Sequence, residues 1–411
     1  MQMTSAYSTT TEIFFDLEHK YSAHNYHPLP VVLSRGQGVY VWDVDGKKYY
    51  DFLSGYSALN QGHCHPKIIA SLMLQAQRLT LTSRAFHNDQ FGEFARFITS
   101  YFGYEKVLPM NTGVEAVETA IKLCRRWGYQ VKGIPENKAR IIVFEDNFHG
   151  RTSTVISFSS DPSSYSGFGP YMPGFDIIPY NDLDALLKAL QNKDVSGVLM
   201  EPIQGEAGVV VPDNGYLSKA YEYCKKANVL FIGDEIQTGL GRTGKMLACD
   251  FENVRPDILI LGKALSGGVL PVSAVLADDE IMLTIKPGEH GSTYGGNPLA
   301  CAVAITALNV LKDEKMIENA AVMGDYFRKG IEHISSPFVE TVRGKGLLNA
   351  IVIRQTNKDA AWDLCLELKE NGLLAKPTHG NKIRFAPPLT ITKTQMDECL
   401  EIISDSLSLL K

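Results

Sequence analysis

The sequence has few cysteines, and none of them is placed to form a disulfide framework or a zinc site. Its seven cysteines are odd in number, lie scattered over 411 residues and never occur as CxxC. This pattern predicts a protein of a reducing compartment. The run His63, Cys64, His65 does not make a metal site by itself, because adjacent side chains point apart and no partner cluster accompanies them. We therefore predict no metal.

The sequence also lacks long apolar runs and basic runs. No apolar stretch reaches the roughly 18 residues of a membrane span. With a formal net charge of −6 and a pI near 6.0, the chain has no electrostatic reason to bind nucleic acid or an anionic membrane. Residues 1–20 have neither a secretory apolar core nor the Arg-rich character of a transit peptide. The expected location is the cytoplasm, and a trimmed mitochondrial form would have the same features.

The remaining composition is that of an ordinary globular protein. Hydrophobic residues make up 45% of the chain and charged residues 21%, and 411 residues are enough for two or three domains with a large core. No internal repeat or low-complexity linker divides the chain.

Two short apolar runs carry the strongest chemical signal. Residues 258–261 are predicted to form a strand buried on both faces, which places Lys263 at its carboxyl end, and residues 229–233 form a second such strand that ends in Asp234. About thirty residues separate the two, as expected for neighbouring parallel strands. A desolvated lysine forms a Schiff base with an aldehyde cofactor such as pyridoxal phosphate (PLP), and a carboxylate keeps the pyridine nitrogen protonated.

With the flanking sequence, this pair resembles a known family. Asp234 and the following Glu-Ile-Gln-Thr-Gly, together with Lys263, are similar to the core motif of class-III (ω-type) PLP-dependent aminotransferases. The resemblance extends from about residue 24 to the C-terminal helix. It implies the α/β fold of fold-type-I PLP transferases, with an N-terminal segment (residues 1–57), a large domain with a mostly parallel central sheet (58–300) and a small α+β C-terminal domain (301–411).

The cofactor would be held mainly by strand ends and by one helix start. Thr112 and Glu115 form a predicted capping box, and a helix N-terminus is a ready phosphate site. The resemblance assigns cofactor-binding roles to Gly113, Val114, Phe148, Asp234, Ile236, Gln237, Lys263 and Thr293, with Lys263 and Asp234 as the catalytic residues. In the family, the residue at Thr293 contacts the PLP phosphate of the partner subunit, which implies a homodimer with shared active sites.

The resemblance also implies a set of substrate-binding residues, namely Tyr26, Tyr56, Arg151, Glu206 and Arg384. Tyr26 would reach the substrate α-amino group and Tyr56 would line the pocket. Arg151 would bind the carboxylate far from the cofactor and Arg384 the α-carboxylate near it. Glu206 would pair with Arg384 while the diamine substrate is bound.

The implied reaction transfers the δ-amino group of L-ornithine to 2-oxoglutarate through a PLP Schiff base. Its products are L-glutamate and glutamate 5-semialdehyde, which cyclises to pyrroline-5-carboxylate, so the enzyme would belong to arginine metabolism and proline biosynthesis. The alternative is an acetylornithine or 4-aminobutyrate aminotransferase of the same class. Family members that act on ornithine often have Trp where this chain has His149, so the resemblance does not define that wall of the pocket.

Three other interpretations compete with this one. Residues 239–244 match the GxGxxG pattern of dinucleotide-binding proteins, but they do not directly follow a strand and no long helix is predicted at the third glycine. Glu201 and Glu206 could form an acid/base pair for hydrolysis, although substrate-side roles are favoured. A non-enzymatic scaffold is disfavoured by the intact Lys263 and Asp234.

Overall fold

The computed structural model describes residues 9–354 and 359–410; the first eight residues of the predicted N-terminal segment, residues 355–358 and residue 411 lie outside the described residues. The strands are β1 Leu33–Gln37, β2 Tyr40–Asp43, β3 Lys48–Asp51, β4 Lys106–Met110, β5 Arg140–Phe144, β6 Phe175–Ile178, β7 Val195–Met200, β8 Leu230–Asp234, β9 Ile258–Leu261, β10 Ser273–Ala277, β11 Val339–Lys345, β12 Leu348–Ile353, β13 Leu373–Leu374, β14 Lys376–Thr378 and β15 Lys382–Phe385. The α-helices are α1 Thr9–Tyr21, α2 Ser54–Ser57, α3 Pro66–Ala76, α4 Phe91–Phe102, α5 Gly113–Gln130, α6 Ser153–Ile156, α7 Pro162–Tyr165, α8 Leu183–Ala189, α9 Tyr216–Lys226, α10 Asp279–Met282, α11 Pro298–Asp313, α12 Met316–Ile334, α13 Ala360–Glu370 and α14 Lys393–Ser408. Two 3-10 turns, Ala248–Glu252 and Lys263–Ser266, complete the set.

A seven-stranded sheet lies at the centre, in the order β4-β10-β9-β8-β7-β5-β6. Its strands are parallel except for β10, which is antiparallel to both of its neighbours. Every residue of β7, β8 and β9 is buried, because helices cover both faces of such a sheet, and these strands are mostly apolar apart from Ser196 and Asp234. The predicted mostly parallel α/β sheet is confirmed.

The sheet brings the carboxyl ends of four strands to one edge. Parallel β5, β7 and β9 end shortly before Phe148, Glu201 and Lys263, respectively, and β8 ends in Asp234. The predicted pairing of the strands that end in Asp234 and precede Lys263 is confirmed, since β8 and β9 are parallel neighbours. This edge is where ligands bind in open α/β sheets.

The N-terminal hairpin joins the C-terminal unit. Strands β2 and β3 pair antiparallel around the predicted turn at Gly46, whose φ of 89° favours glycine. β13 then adds to β3 in parallel register, and the Ala386 amide donates to the carbonyl of Phe52 at 2.7 Å. The hairpin therefore holds the C-terminal strands against the edge of the site.

A second four-stranded sheet, in the order β11-β12-β15-β14, forms the C-terminal unit and carries Arg384 on β15. The predicted division into residues 1–57, 58–300 and 301–411 stays a prediction. Helix α11 runs through its 300/301 boundary, and one apolar core includes residues on both sides of that point.

The GxGxxG segment forms a packing turn. No long helix follows Gly244: the next element is the 3-10 turn Ala248–Glu252. A Cβ at Gly241 would lie 3.1 Å from Ile317, and one at Gly244 would lie 2.9 Å from Ala321, both on α12. The glycines thus allow close contact with that helix, which argues against a dinucleotide site.

Within residues 9–354 and 359–410, no helix is long and apolar enough to cross a membrane. The same residues contain no group of three or more His, Cys, Asp or Glu arranged to hold a metal ion. All seven cysteines are free, and only Cys64 is exposed.

Candidate active site

A cavity of about 270 Å³ opens at the carboxyl edge of the central sheet. It is lined by Gly113, Val114, Phe148, His149, Gly150, Arg151, Glu201, Glu206, Asp234, Ile236, Gln237 and Lys263. All of the predicted cofactor-binding residues except Thr293 are in this set. The cavity also includes Arg151 and Glu206, so cofactor and substrate residues share one space.

Lys263 begins the 3-10 turn after β9 and has a φ of 46°, in the left-handed region that is unfavourable for a residue with a side chain. Burial lowers the pKa of its amine; the charges of Glu206 and Asp234 oppose this effect and that of Arg384 adds to it. A lysine with a lowered pKa has more of the neutral amine that attacks a carbonyl. The direction of this shift suits Lys263 to the nucleophilic role predicted for it.

Asp234 is buried at the end of β8 and contacts His149 from the loop after β5. Nδ1 of His149 lies 2.6 Å from Oδ2 of Asp234, so the imidazole N–H donates to the carboxylate. Burial alone would lower the pKa of His149, but the hydrogen bond and charge of Asp234, with the charge of Glu201, raise it overall. His149 thus fixes the orientation of the carboxylate that faces the cavity.

The start of α5, which the sequence predicts to hold a phosphate, lines the cavity at Gly113 and Val114. Thr112 and Glu115 make the predicted capping box, which is confirmed. A Cβ at Gly150 would lie 2.4 Å from the side chain of Val114, so the loop after β5 approaches the helix start closely. The free N–H groups at Gly113 and Val114 and the positive end of the helix dipole suit a phosphate.

Glu206 and Arg384 form an ion pair on the substrate side, in which Arg384 is buried and Glu206 is partly exposed. Oε1 of Glu206 lies 2.5 Å from Nη1 of Arg384, whose side chain is only 2% exposed. Gln237 donates from Nε2 to the same Glu206 oxygen at 3.0 Å, and its own Oε1 accepts from Arg384 at 3.4 Å. Burial would raise the pKa of Glu206, but Arg384, Lys263 and these hydrogen bonds lower it to about 2. The pair is therefore ionised at neutral pH.

Tyr56 stands beside this pair in an irregular turn. Its φ is 60°, and the Arg384 guanidinium lies 5.0 Å from its ring centroid. Burial raises the pKa of the Tyr56 hydroxyl, with smaller effects from Glu206, Arg384, Tyr26 and Arg151. Tyr56 therefore lies within electrostatic range of the other four predicted substrate residues.

Arg151 and Tyr26 lie at the outer part of this group. The Arg151 guanidinium is 5.8 Å from the Phe148 ring centroid, and Tyr26 is 66% exposed. An exposed guanidinium beside a cavity can bind the outer end of a dicarboxylate or an amino acid.

Thr293 is the predicted cofactor-binding residue that does not line the cavity, and the predicted substrate residues Tyr26, Tyr56 and Arg384 do not line it either. It is exposed in the loop between α10 and α11. Asn111, next to the start of α5, donates from Nδ2 to Oγ of Ser292 at 2.7 Å. The structure thus brings Thr293 near the segment that leads into α5 but not among the residues that line the cavity.

Sequence reasoning missed two contacts and did not foresee the backbone contacts of Glu201, whose substrate-side role stays a prediction. It did not predict the His149–Asp234 hydrogen bond or the place of Gln237 between Glu206 and Arg384. For Glu201 it favoured a substrate-side role, but both carboxylate oxygens accept backbone amides, from Phe148 at 2.9 Å and Gly205 at 3.2 Å. A buried acid directly after a strand, close in sequence to a second one, was the available signal.

Comparisons with known proteins identify the family. The family model "Aminotransferase class-III" matches residues 21–407. Ornithine aminotransferase, mitochondrial, of Rattus norvegicus is 62% identical over 398 residues, which cover 97% of this chain and 91% of that protein.

Solved structures are also similar. An ornithine aminotransferase from Toxoplasma gondii, whose active site is described as partly occupied by PLP, has a TM-score of 0.95 at 50% identity, covering 97% of this chain and 94% of that one. An acetylornithine aminotransferase from Elizabethkingia anophelis has a TM-score of 0.89 at 58% identity, covering 97% and 99%. The chain belongs to the class-III aminotransferase family.

Proposed function

We propose that this enzyme transfers the δ-amino group of L-ornithine to 2-oxoglutarate. The observation that supports this most directly is the Glu206–Arg384 pair beside Lys263. An enzyme that used only α-amino acids would keep such an arginine free for the α-carboxylate, whereas a diamine substrate requires it to be neutralised.

Pyridoxal phosphate is the cofactor, and the residues of this chain fit it. Its ring would withdraw electrons from the substrate carbon that bears the amine. Lys263 would hold the aldehyde carbon, Asp234 the pyridine nitrogen, and the start of α5 the phosphate. Phe148 and Ile236 would lie on the two ring faces.

Lys263 would also transfer protons while substrate occupies the site. Its amine is the group best placed in the cavity to remove a proton from the substrate carbon and return it at the other end of the transfer. Burial lowers its pKa toward neutral pH, which increases the fraction of free base. The hydrogen bond from His149 keeps the Asp234 carboxylate in one orientation.

The two substrates must bind in opposite senses. Ornithine presents its δ-amine at Lys263, so its α-carboxylate lies far from the reacting end, near Arg151. Glutamate presents its α-amine there, so its α-carboxylate lies near Arg384 and its side-chain carboxylate reaches Arg151. Glu206 neutralises Arg384 in the first case and moves away in the second.

Gln237 provides Arg384 with a second contact when Glu206 moves away. With Glu206 displaced, the Gln237 amide can still contact Arg384, because it already lies 3.4 Å from Nη1. Separating a buried ion pair without compensation would cost roughly 3–5 kcal/mol. The incoming α-carboxylate supplies that compensation by taking the place of Glu206.

The competing substrate is N-acetylornithine, which the name of the Elizabethkingia anophelis neighbour favours. Tyr26 discriminates between the two, because only a free α-amino group gives its hydroxyl a partner. The test is single-turnover reaction of the PLP-loaded enzyme with ornithine, N-acetylornithine, lysine and 4-aminobutyrate. We expect ornithine to react fastest, and a faster reaction of N-acetylornithine would overturn the substrate assignment.

The proposal extends to assembly and compartment. Exposed apolar side chains at Met73, Leu74, Phe86 and Tyr294 support burial in a homodimer in which Thr293 reaches the partner's phosphate. Sedimentation of the purified protein tests this, and a monomer with full activity would contradict it.

Free buried cysteines fit the cytoplasm, and the mitochondrial names of relatives make a mitochondrial form the alternative. Cell fractionation separates the two. The products would serve arginine breakdown and proline synthesis.

A further inference from the structure

Glu201 joins two loops that carry different parts of the site. It is the first residue after β7, and its side chain is buried. Oε1 accepts the Phe148 amide at 2.9 Å, and Oε2 accepts the Gly205 amide at 3.2 Å. One carboxylate therefore bridges the loop after β5 and the turn after β7.

Each bridged amide belongs to a segment with its own task. The segment after β5 contains Phe148, whose ring lines the cavity, and leads to Arg151. Gly205 is followed directly by Glu206. A Cβ at Gly205 would lie 1.6 Å from Oε1 of Gln237, so this turn is pressed against the residue that contacts both members of the ion pair.

We propose that Glu201 is a positioning residue that couples the seating of Phe148 to the position of Glu206. Its carboxylate makes the two loops move together, so the aromatic wall of the cavity and the Glu206–Arg384 pair adopt matched positions. This inference rests on the proposed function, in which Glu206 distinguishes the two substrates.

The charged neighbours of Glu201 make this bridge sensitive to pH. Burial raises the pKa of Glu201 to about 7, against opposing effects of His149 and the two amides, while Asp234 adds to the rise. Lys263 and Tyr180 also interact with it electrostatically. Above pH 7 the carboxylate accepts both amides, and below pH 7 one oxygen carries a proton and accepts less well.

The backbone at this point has a separate anchor. The Tyr180 hydroxyl lies 3.0 Å from the carbonyl oxygen of Glu201 and 2.9 Å from that of Pro202. Because this contact involves the main chain, substitution of the Glu201 side chain leaves it in place. Glu201→Gln therefore tests the bridge itself: the amide keeps the size of the side chain, retains one acceptor and does not titrate.

Glu235 offers a matched control. It is also fully buried, accepts a backbone amide from Cys249 at 2.8 Å, and has a pKa raised by burial. Its side chain contacts neither bridged loop, so Glu235→Gln reports the general cost of changing a buried carboxylate.

The first measurement is hydrogen exchange of the PLP-loaded protein, followed in peptides covering residues 145–151 and 202–208. Glu201→Gln should speed exchange of one or both bridged amides about tenfold, since a charge-assisted hydrogen bond is lost, and Glu235→Gln should not. In the unmodified protein, protection corrected for intrinsic rates should fall as pH drops from 8 to 6. Unchanged protection in both comparisons would overturn the proposal, even if the variant folds poorly.

The second measurement is the ratio of the ornithine to the glutamate half-reaction rate. It should change with an apparent pKa near 7 in the unmodified enzyme and Glu235→Gln, and lose that dependence in Glu201→Gln. If Glu206→Gln alters the ratio while Glu201→Gln alters neither ratio nor exchange, the coupling is wrong and the proposed function stands. If Glu206→Gln leaves the ratio unchanged, Glu206 does not distinguish the two substrates, and the premise that this inference takes from the proposed function fails.

Discussion

The two halves of the site are built in different ways. The cofactor half uses Lys263 and Asp234, which follow neighbouring parallel strands of one sheet. The substrate half collects Tyr26 and Tyr56 from N-terminal segments outside the sheets and Arg384 from β15, more than 300 residues later in the chain. The first half needs only a rigid strand edge, whereas the second depends on how the C-terminal sheet sits against the rest.

This difference separates two kinds of chemistry. A rigid edge suits groups that must hold one geometry throughout the reaction. Loops and a separate sheet suit groups that must change partners between substrates, as Glu206 does in our proposal. We therefore expect substitutions in the cofactor half to abolish both half-reactions, and substitutions in the substrate half to change one relative to the other.

Lys263→Ala should have the largest effect. It removes both the group that would hold the cofactor aldehyde and the proton carrier, so we expect both half-reactions to slow by at least about 10³-fold. The phosphate cradle at α5 is unchanged, so PLP should still bind, without the visible absorbance band of the lysine-bound cofactor.

Spectrophotometry and single-turnover rates measure the two effects of Lys263→Ala. Lys245→Ala serves as the control, because Lys245 is exposed and outside the cavity. Normal turnover by Lys263→Ala would remove this lysine from the mechanism.

Asp234→Asn should come next, again with both half-reactions affected. A neutral amide cannot hold the pyridine nitrogen protonated, and it also loses the charge that His149 contacts at 2.6 Å. We expect PLP to be retained and both rates to fall by about 10²-fold or more. The bound PLP, measured after desalting, and the two rates distinguish this from simple loss of cofactor. If only one half-reaction slowed, the separation between the two halves would be wrong.

The sequence was informative where function depends on local order. Unbroken apolar runs predicted β8 and β9, and their spacing predicted that Asp234 and Lys263 would be neighbours. Thr112 and Glu115 predicted the start of α5. Each of these signals lies within about thirty residues, where strand pairing and helix capping are set by residues close in the chain.

Contacts between residues that are far apart in the chain could not be predicted from local sequence patterns. His149 and Asp234 are 85 residues apart, and their contact depends on β7 lying between β5 and β8. The two-residue strand β13 pairs with β3 from more than 300 residues away, and so short a strand has no readable periodicity. The substrate residues were assigned by family resemblance for the same reason, and their roles stay predictions.

Glu206→Gln should change the balance between the half-reactions without abolishing either. The neutral amide frees Arg384 to bind a proximal α-carboxylate, so the glutamate half-reaction should gain on the ornithine one by about tenfold, which corresponds to roughly 1.4 kcal/mol. Some transfer from the α-amine of ornithine should appear as a new keto acid product. Single-turnover rates and product analysis measure both.

A suitable control for Glu206→Gln is Glu252→Gln, because Glu252 also accepts backbone amides, from Gly215 and Ser218, but lies outside the cavity. An unchanged ratio in Glu206→Gln would mean that Tyr26 and pocket shape set which amine reacts.

The smallest expected effect concerns His149 and the pH dependence of stability. The pKa of His149 is raised in the folded protein despite burial, because Asp234 and Glu201 favour its protonated form. Its stabilising contribution should therefore be full below the unfolded pKa of about 6.5 and should be lost as pH rises through the folded value. His149→Gln should lower the unfolding temperature by roughly 1–3 °C at pH 6 and by less at pH 8.5.

His290 provides the opposite case for the His149 comparison. Burial, with the charge of Lys122, lowers the pKa of His290, so its contribution should be full above pH 6.5 and should decline as pH falls through its folded value. His290→Gln should therefore cost more at pH 8.5 than at pH 6. Thermal unfolding of the unmodified protein and both variants at the two pH values gives the comparison. If the loss of unfolding temperature changed with pH in the same direction in both variants, the titration of neither histidine would control it. Asp234 would then keep its orientation without a charged His149.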